Sequence, residues 1–386
     1  MLDRIAAGEL PDKPHTQLRG AEGALRHEEC LTRAGFDGPF SILYHQHRPH
    51  ALRAQPSART ELPAAASQLA AADASLRRRH FRTRLAPPGG SLLEARRALL
   101  ENTELALSIC KPEHSESAYF VNADADELFF VHKGRGTLRS VFGDLAFGEH
   151  DYVAIPRGVL RRVLAEEPLE LLLIEARGGL SIPRQFRNDV GQLRMDAPYS
   201  HRDFRRPLFR GPLDEGLRDV VIQRGGRQHR FRAEHAPLDV VGWDGTVYPW
   251  AFPILAFQPR VSSVHLPPTW HGTFAAKGAL ICSFVPRPLD FDPRAIPCPY
   301  PHASVDVDEV LFYVKGSFSS RSGVEAGSIT LHPRGIAHGP HPGRYEGSIG
   351  GTHTDELAVM LDCYSPLLPS PQARELEDPD YDASFL

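Results

Sequence analysis

The chain has 386 residues, of which 41% are hydrophobic and 24% charged, as in a globular protein with a buried core. A formal charge of −4 without a long basic run argues against nucleic-acid binding, and no run of about 20 apolar residues could span a membrane. Five scattered cysteines lack the CxxC spacing of a structural zinc site, and the first residues lack the apolar core of a signal peptide. We therefore expect a cytoplasmic protein with neither a nucleic-acid nor a membrane partner.

The first 105 residues predict an N-terminal region with an arm that packs on the rest of the molecule. Two segments in it, 64–84 and 91–102, are rich in alanine, leucine and arginine, which favours helices. The first of these segments could equally form the arm, because it follows a loop-like stretch.

The clearest pattern in the chain is an internal repeat. NADADELFFVHKG at 122–134 aligns without gaps onto SVDVDEVLFYVKG at 304–316, and IPRG at 155–158 matches HPRG at 332–335. Both copies read as strand, glycine turn, strand, Pro-Gly turn and strand, a succession that is typical of antiparallel jelly rolls. We therefore predict a mainly β protein with two jelly-roll barrels of the cupin type and few helices.

The repeat and the composition together suggest domain boundaries. We place a first barrel at 106–200, a long arginine-rich inter-barrel connection at 201–240, and a second barrel at 241–368. The last segment, 369–386, is acidic and contains proline, so we expect a tail that is poorly ordered or draped over the surface.

The second copy of the repeat gathers imidazoles and carboxylates. PYPHASVDVDE supplies His302 and Glu309, and ITLHPRGIAHGPHPGR supplies His332, His338 and His341. Two imidazoles and one carboxylate on one face leave about half an octahedron open, which suits non-heme Fe(II) and O₂. We predict His302, Glu309 and His338 as the metal ligands. His332 is expected to orient a ligand or contact substrate, and His341 to contact substrate or nothing.

The first copy lacks this set. By the spacing of the repeat, Phe120 stands where the second copy has His302, and Arg161 stands where it has His338. Only Glu127 remains of the three predicted ligands. We therefore expect the first barrel to be a scaffold without a metal.

These motifs resemble the homogentisate 1,2-dioxygenase family, in its shorter bacterial branch. The likeness rests on GELPDKPHTQLRG, DVVGWDGTVYPWAF, PYPHASVDVDEVLFYV and GSITLHPRGIAHGPHPG, and covers most of the chain. It implies a two-barrel fold with Fe(II) in the C-terminal barrel and assembly into homo-oligomers. It also implies cleavage of the ring of homogentisate by O₂ to give maleylacetoacetate, in tyrosine and phenylalanine degradation.

The resemblance also assigns individual residues. It implies His302 and His338 as the histidine ligands and Tyr300 as a contact for the substrate. The carboxylate stays open between two neighbours. The family spacing points to Asp308, whereas the internal repeat favours Glu309.

One position departs from the family pattern. Where the family has an acid/base histidine after Gly-Trp, this chain has Asp244. An aspartate with its usual pKa near 3.9 is ionised at neutral pH and is a poor proton donor unless it is desolvated. The catalytic candidates are therefore Asp244, His265 and His341, with His271 also close in sequence.

Three arginines near the motifs could bind a substrate carboxylate, namely Arg287, Arg334 and Arg344. The departure at position 244 leaves gentisate or another substituted hydroquinone open as the substrate. A different class of protein also stays open, a metal-binding bicupin without oxygenase activity, such as an isomerase or a small-molecule binding module.

Overall fold

The computed structural model describes residues 3–61, 75–318 and 320–386. Runs of β-branched, aromatic and leucine residues form 27 strands within these residues. They are β1 (Ile5–Gly8), β2 (His27–Thr32), β3 (Phe40–His45), β4 (Leu52–Glu61), β5 (Arg79–Phe81), β6 (Arg96–Glu101), β7 (Leu105–Cys110), β8 (Tyr119–Asn122), β9 (Asp126–Lys133), β10 (Gly136–Ser140), β11 (Gly143–Phe147), β12 (Asp151–Ile155), β13 (Arg161–Ala165), β14 (Glu170–Ala176), β15 (Leu180–Ser181), β16 (Asp219–Arg224), β17 (Arg227–Ala233), β18 (Val240–Gly245), β19 (Trp250–Pro253), β20 (Gly272–Ala276), β21 (Ala279–Phe284), β22 (Arg287–Pro288), β23 (Asp308–Lys315), β24 (Ile329–His332), β25 (His353–Thr354), β26 (Leu357–Cys363) and β27 (Leu368–Pro369).

Helices in the described ranges are short. There are two α-helices, α1 (Arg344–Gly347) and α2 (Pro371–Arg374). Single 3₁₀ turns occur at Thr83–Leu85, Arg184–Phe186, His201–Asp203, Ile254–Ala256, Pro268–His271 and Asp382–Phe385. None of these helices is long and apolar enough to cross a bilayer.

The strands form four larger sheets and one ribbon. We call these the N-terminal sheet (order β1-β18-β3-β2), the first outer sheet (β11-β10-β13-β8-β16-β17-β4), the central sheet (β19-β12-β9-β14-β7-β6-β27), the site sheet (β15-β20-β21-β26-β23-β24-β5) and the ribbon (β22-β25). Most neighbouring strands are antiparallel, as a jelly roll requires; β8 and β16 pair in parallel.

The central sheet has a hydrophobic core on both of its faces. Along β9, Phe129 and Val131 point into a core shared with the first outer and N-terminal sheets. The alternate residues Leu128 and Phe130 point into a larger core shared with the site sheet. Because side chains alternate along a strand, one sheet serves as a wall for two cores.

The site sheet also packs against a different core on each of its faces. Val310 and Phe312 of β23 pack into the core shared with the central sheet. Leu311 and Tyr313 point to the opposite face, where they join a small third core. Glu309 precedes them by an even number of positions and therefore shares this outer face.

The internal repeat appears as the same turn in both halves. Gly134 follows β9 and Gly316 follows β23, with φ angles of 83° and 96°. A Cβ on either glycine would lie 2.4 Å from a backbone carbonyl oxygen, so both the backbone conformation and the space require glycine.

The predicted fold class is confirmed, since the protein is mainly β with two jelly-roll barrels of the cupin type and short helices. The helix prediction for 91–102 is wrong, because β6 occupies most of that segment and pairs with β7 and β27. In the other predicted helix, residues 79–81 form β5, and 62–74 lie outside the described residues.

Several strands add detail to the predicted domain ranges. The predicted connection at 201–240 contains β16 and β17, which extend the first outer sheet. β18 and β19 lie in the range predicted for the second barrel, but they pair with strands from the first half of the chain. The predicted tail at 369–386 holds α2 and a 3₁₀ turn, and its Tyr381 is buried.

Candidate metal centre

Three of the predicted residues converge on the outer face of the site sheet. His302 and His338 pair as an isolated antiparallel bridge, with backbone N···O distances of 2.7 and 2.8 Å. Glu309, near the start of β23, places its Oε2 at 3.9 Å from Nε2 of each histidine. One side-chain ligand atom from each residue lies within 4.8 Å of the others. The cluster therefore presents two imidazole nitrogens and one carboxylate oxygen to a single point.

Backbone carbonyls orient both imidazoles. His302 Nδ1 lies 3.1 Å from the carbonyl oxygen of Tyr300, and His338 Nδ1 lies 3.2 Å from that of Ile336. An Nδ1–H that donates to a carbonyl leaves the lone pair on Nε2, the nitrogen that faces Glu309. His338 Nε2 is buried and has no hydrogen-bond partner among the described residues. A buried nitrogen without a partner fits a metal ligand, and the donor set suits a divalent ion of the Fe(II) type.

The second carboxylate oxygen of Glu309 is hydrogen-bonded to a buried histidine on the side away from His302 and His338. Its Oε1 accepts a hydrogen bond from Nδ1 of the fully buried His332 at 2.8 Å, and the hydroxyl of Tyr381 lies 3.1 Å from His332 Nε2. Burial and the nearby guanidinium of Arg321 lower the pKa of His332 to about 3, so this imidazole is neutral. Burial opposes ionisation of Glu309, but the His332 hydrogen bond and the surrounding positive charge lower its pKa to about 2. Glu309 is thus an ionised carboxylate of fixed orientation.

The carboxylate of the neighbouring Asp308 points to the opposite face of the site sheet. Asp308 accepts backbone N–H groups from Arg334 at 2.9 Å and from Leu367 at 2.8 Å. Because successive side chains of a strand face opposite sides, Asp308 cannot share the cluster with Glu309. Of the two open carboxylates, the structure brings only Glu309 to the histidines.

A cavity opens over this cluster. Its walls are mostly apolar, with a few charged and imidazole groups among them, as in small-molecule sites. It is lined by Arg260, Val261, His265, Leu266, His271, Phe284, Arg287, Pro288, Leu289, Asp290, Pro297, Pro299, His302, Glu309, Leu311, Ser320, Arg321, Gly339, Glu356 and Met360.

Two further histidines lie in the cavity wall. His265 places Nδ1 at 4.0 Å from an oxygen of Asp290, and its ring meets Tyr300 edge-on at 5.3 Å. Burial lowers the pKa of His265, and it lowers that of His271 to about 3. Both rings are therefore neutral near neutral pH. His265, whose Nδ1 faces a carboxylate, is the better placed of the two to accept a proton.

One of the three arginines named from sequence reaches the cavity. The guanidinium of Arg287 is partly buried, lies 3.8 Å from Glu356 and covers the ring of Phe284 at 5.4 Å. Arg334 and Arg344 lie elsewhere, bonded to a backbone carbonyl and to a serine hydroxyl. Arg287 thus provides a positive charge where a substrate carboxylate would enter.

Asp244, predicted as a catalytic candidate, does not line this cavity. It lies on β18 in the N-terminal sheet, where Arg4 Nε donates to its Oδ2 at 3.1 Å. The neighbouring Trp243 is buried in the core of the first barrel. The Gly-Trp motif therefore belongs to that core, and its aspartate is held by an ion pair.

His341 and His332 do not line the cavity either. His341 Nε2 lies 2.9 Å from the hydroxyl of Ser384, and its ring stacks on Phe385 at 4.1 Å. His332 is fully buried behind Glu309. This placement matches the expectation that His332 orients a ligand and does not match contact with substrate. Tyr300 lies beside His265 and His302 with half of its surface exposed.

The corresponding place in the first barrel is filled by an ion cluster. Arg161 pairs with Phe120 across two strands, as His338 does with His302. The Arg161 guanidinium contacts Glu127 at 3.0 Å and Glu116 at 2.6 Å, and all three side chains are buried. Arg96 contacts the other oxygen of Glu127 at 2.8 Å, so two guanidinium groups satisfy the carboxylate that has its counterpart in Glu309.

Sequence reasoning missed four residues that contact the site. Arg321, Asp290 and Glu356 line the cavity from separate loops, and Tyr381 reaches His332 from the tail. The aromatic residues in the acidic tail were the one available sign that this segment packs against the protein.

The chain has relatives among known proteins. Residues 94–254 match the family described as homogentisate 1,2-dioxygenase N-terminal. A protein of Saccharolobus solfataricus, provisionally named a dioxygenase, is 35% identical over 98% of this chain and 97% of its own length. Homogentisate 1,2-dioxygenase of Rhodopseudomonas palustris is 25% identical over 64% of this chain and 58% of its own length. Among solved structures, a cupin 2 conserved barrel domain protein from Leptotrichia buccalis covers 70% of this chain and 88% of its own, at 10% identity and a TM-score of 0.31.

Proposed function

Because the chain belongs to the homogentisate 1,2-dioxygenase family, we propose that it is an Fe(II)-dependent dioxygenase that cleaves the ring of homogentisate with O₂ to give maleylacetoacetate. The observation that carries the proposal is the convergence of His302, Glu309 and His338, which we assign as the iron ligands. Two imidazoles and one carboxylate on one face are the donor set of non-heme Fe(II) oxygenases. In this assignment Asp308 is not a ligand.

Ferrous iron held there would supply the redox chemistry that the reaction of O₂ with an aromatic ring requires. The protein's own part begins with orientation. His332 donates to one oxygen of Glu309, so that the other oxygen faces the histidines, and Tyr381 bonds the far nitrogen of His332. The carbonyls behind His302 and His338 fix which ring nitrogen each presents.

We assign the cavity to the aromatic acid. Arg287 is the proposed partner of the substrate carboxylate, because it is a partly buried cation in the wall. His265 is the proposed base, which accepts a ring hydroxyl proton on Nε2 while Asp290 faces its Nδ1. Tyr300 is not part of the cavity lining, but its ring contacts His265, and we assign it to the substrate on that contact. The apolar remainder of the wall keeps water from the reacting ring.

The proposal is tested by anaerobic reconstitution with Fe(II), followed by measurement of oxygen uptake. The panel contains homogentisate, gentisate, hydroquinone without a carboxylate, and a catechol acid as control. We expect uptake with homogentisate and formation of maleylacetoacetate. Oxygen uptake with gentisate but not with homogentisate would indicate gentisate as the substrate. Absence of uptake in a protein that holds stoichiometric iron would overturn it.

A further inference from the structure

A second cluster of imidazoles lies where the chain turns from the N-terminal sheet into the first outer sheet. The loop 46–51 joins β3 to β4, and the loop 234–239 joins β17 to β18. The strands that enter and leave the two loops are neighbours in both sheets. The two loops therefore run side by side, with the N–H of Gln46 donating to the carbonyl of Asp239 at 3.1 Å. We call this region the corner.

Three side chains at the corner face one another. Asp239 Oδ2 lies 3.1 Å from His47 Nδ1 and 3.9 Å from His235 Nε2. The rings of His47 and His235 stack with their centroids 4.4 Å apart. All three ligand atoms lie within 4.8 Å of one another. At 3.9 Å, His235 Nε2 is beyond hydrogen-bond distance of the carboxylate.

The carboxylate is buried and anchored at both oxygens, because the backbone N–H of His47 donates to Oδ2 at 2.7 Å. The side chain of Asp239 is 4% exposed, and its Oδ1 accepts a hydrogen bond from His45 Nδ1 at 2.7 Å. His45 Nε2 in turn lies 3.1 Å from Glu29. These contacts fix the orientation of Asp239, so that Oδ2 is directed at the two imidazoles.

The side chains at the corner suit a cation between the rings. Asp239 supplies a buried carboxylate oxygen, and His235 Nε2 faces it from 3.9 Å without a hydrogen bond to it. Two imidazole nitrogens and a carboxylate are ligands of zinc and of similar divalent ions.

We propose that His47, His235 and Asp239 bind a divalent transition-metal ion of the zinc type. The His47 side chain is 55% exposed, so water can complete the coordination shell. The ligands come from both loops, and the ion therefore ties together two segments about 190 residues apart in sequence. Its role is structural, because the ion stabilises the folded chain by binding it in preference to the unfolded one. This site does not depend on the proposed dioxygenase activity.

The test uses the full-length, metal-stripped protein titrated with Zn²⁺ against a chromogenic chelator. The His338→Ala variant is the background, because it removes a ligand of the cavity cluster. We expect one equivalent of Zn²⁺ to bind and the melting temperature to rise. Adding His47→Gln and His235→Gln should abolish both effects. Asp239 is left intact, since its substitution would unpair the buried His45.

His50→Gln in the same background is the matched control. His50 is an exposed histidine of the same loop outside the cluster, so binding and the thermal shift should remain. Unchanged Zn²⁺ stoichiometry or an unchanged thermal shift in the His47→Gln, His235→Gln protein would overturn the corner site. A second equivalent retained in the His338→Ala protein would count against His338 as a ligand of the cavity cluster, and not against the corner site.

Discussion

At the scale of single residues, two adjacent acids at the start of β23 show how strand geometry selects a ligand. Glu309 faces the histidines, whereas Asp308 faces the other side and accepts two backbone N–H groups. The same chemical group therefore has two roles one position apart. Glu309 is the proposed metal ligand, and Asp308 joins β23 to two later segments of the chain.

This contrast predicts the behaviour of two conservative variants. Glu309→Gln should lose iron, because a neutral amide is a weaker ligand and a weaker acceptor for His332. Asp308→Asn should keep iron but lower the free energy of unfolding by about 1–2 kcal/mol, because it weakens two charge-assisted hydrogen bonds. Iron content after anaerobic reconstitution and urea unfolding measure both effects. Iron retained by Glu309→Gln and lost by Asp308→Asn would exclude Glu309 as the ligand.

The proposed base predicts a pH dependence. Burial lowers the pKa of His265 from 6.5, so the ring is neutral above that pH and becomes protonated only as the pH falls further. The acidic fall of kcat/KM should therefore lie below pH 6.5, and the rate should be level above it. His265→Gln should lower kcat about 10²–10⁴-fold and remove this acidic limb.

The control for this experiment is His353→Gln, at an exposed histidine outside the cavity wall. Iron content is measured at each pH, so that loss of metal is separated from loss of the base. If His265→Gln with full iron content kept both the rate and the acidic limb, His265 would not be the base.

At the scale of secondary-structure elements, the segment after β27 is tied to the site. Glu377 pairs with the buried Arg79 at 2.8 Å, and Phe385 stacks on His341. Between them, Tyr381 bonds His332, which holds Glu309. The last segment of the chain therefore contacts the candidate metal centre through Tyr381 and His332, on the side of Glu309 away from the two histidines.

This support predicts the effect of removing one hydroxyl. Tyr381→Phe leaves His332 Nε2 without its partner and loosens the orientation of Glu309, so iron affinity should fall about 10–100-fold. Competition with a ferrous chelator measures the affinity. Tyr364→Phe, at a tyrosine with more than half of its surface exposed, should bind iron as the unaltered protein does. Equal affinities in both variants would contradict the role of Tyr381.

The strands and the tail differ in how well the sequence predicts their structure. β9 and β23 follow from the gapless repeat and its strand-like alternation. β6 does not, because its alanine, leucine and arginine favour a helix and only pairing with β7 and β27 makes it a strand. The tail looks poorly ordered by composition, and its ion pairs join residues about 300 positions apart, which no local pattern reports.

At the scale of the whole molecule, the two barrels place equivalent residues in equivalent positions with different outcomes. The second barrel presents two imidazoles to Glu309, and the first presents the guanidinium of Arg161 to Glu127. The fixed positive charges of Arg96 and Arg161 satisfy this buried acid. Such an ion cluster is what we expect of a barrel that serves as scaffold.

The Arg161→Ala variant separates these two roles. Iron content should be unchanged, because Arg161 is not part of the cavity cluster. The free energy of unfolding should fall by about 3–5 kcal/mol, since the buried Glu116 loses its arginine partner while Glu127 keeps only Arg96. Arg135→Ala removes an exposed arginine of the same barrel and should cost less than about 1 kcal/mol. Loss of iron in folded Arg161→Ala would refute the assignment of this barrel as scaffold.

The centre of the site could be predicted from the sequence, but its walls could not. His302 and His338 lie beside the stretches that the repeat aligns, and Glu309 lies within one of them, although spacing left Asp308 open as the carboxylate. The cavity walls come from loops whose proximity depends on the packing of whole sheets. Asp244 shows the opposite error, because its place in a motif suggested chemistry while its strand belongs to the other core.

The central sheet gives the molecule one further property. Alternate residues of its strands fill two different cores. Unfolding of either core would therefore expose apolar side chains of the other core to water. Calorimetry should therefore record one cooperative melting transition with equal calorimetric and van't Hoff enthalpies. Excising the first half of the chain would therefore remove one wall of the core behind the histidine cluster, so the two halves should be stable only together.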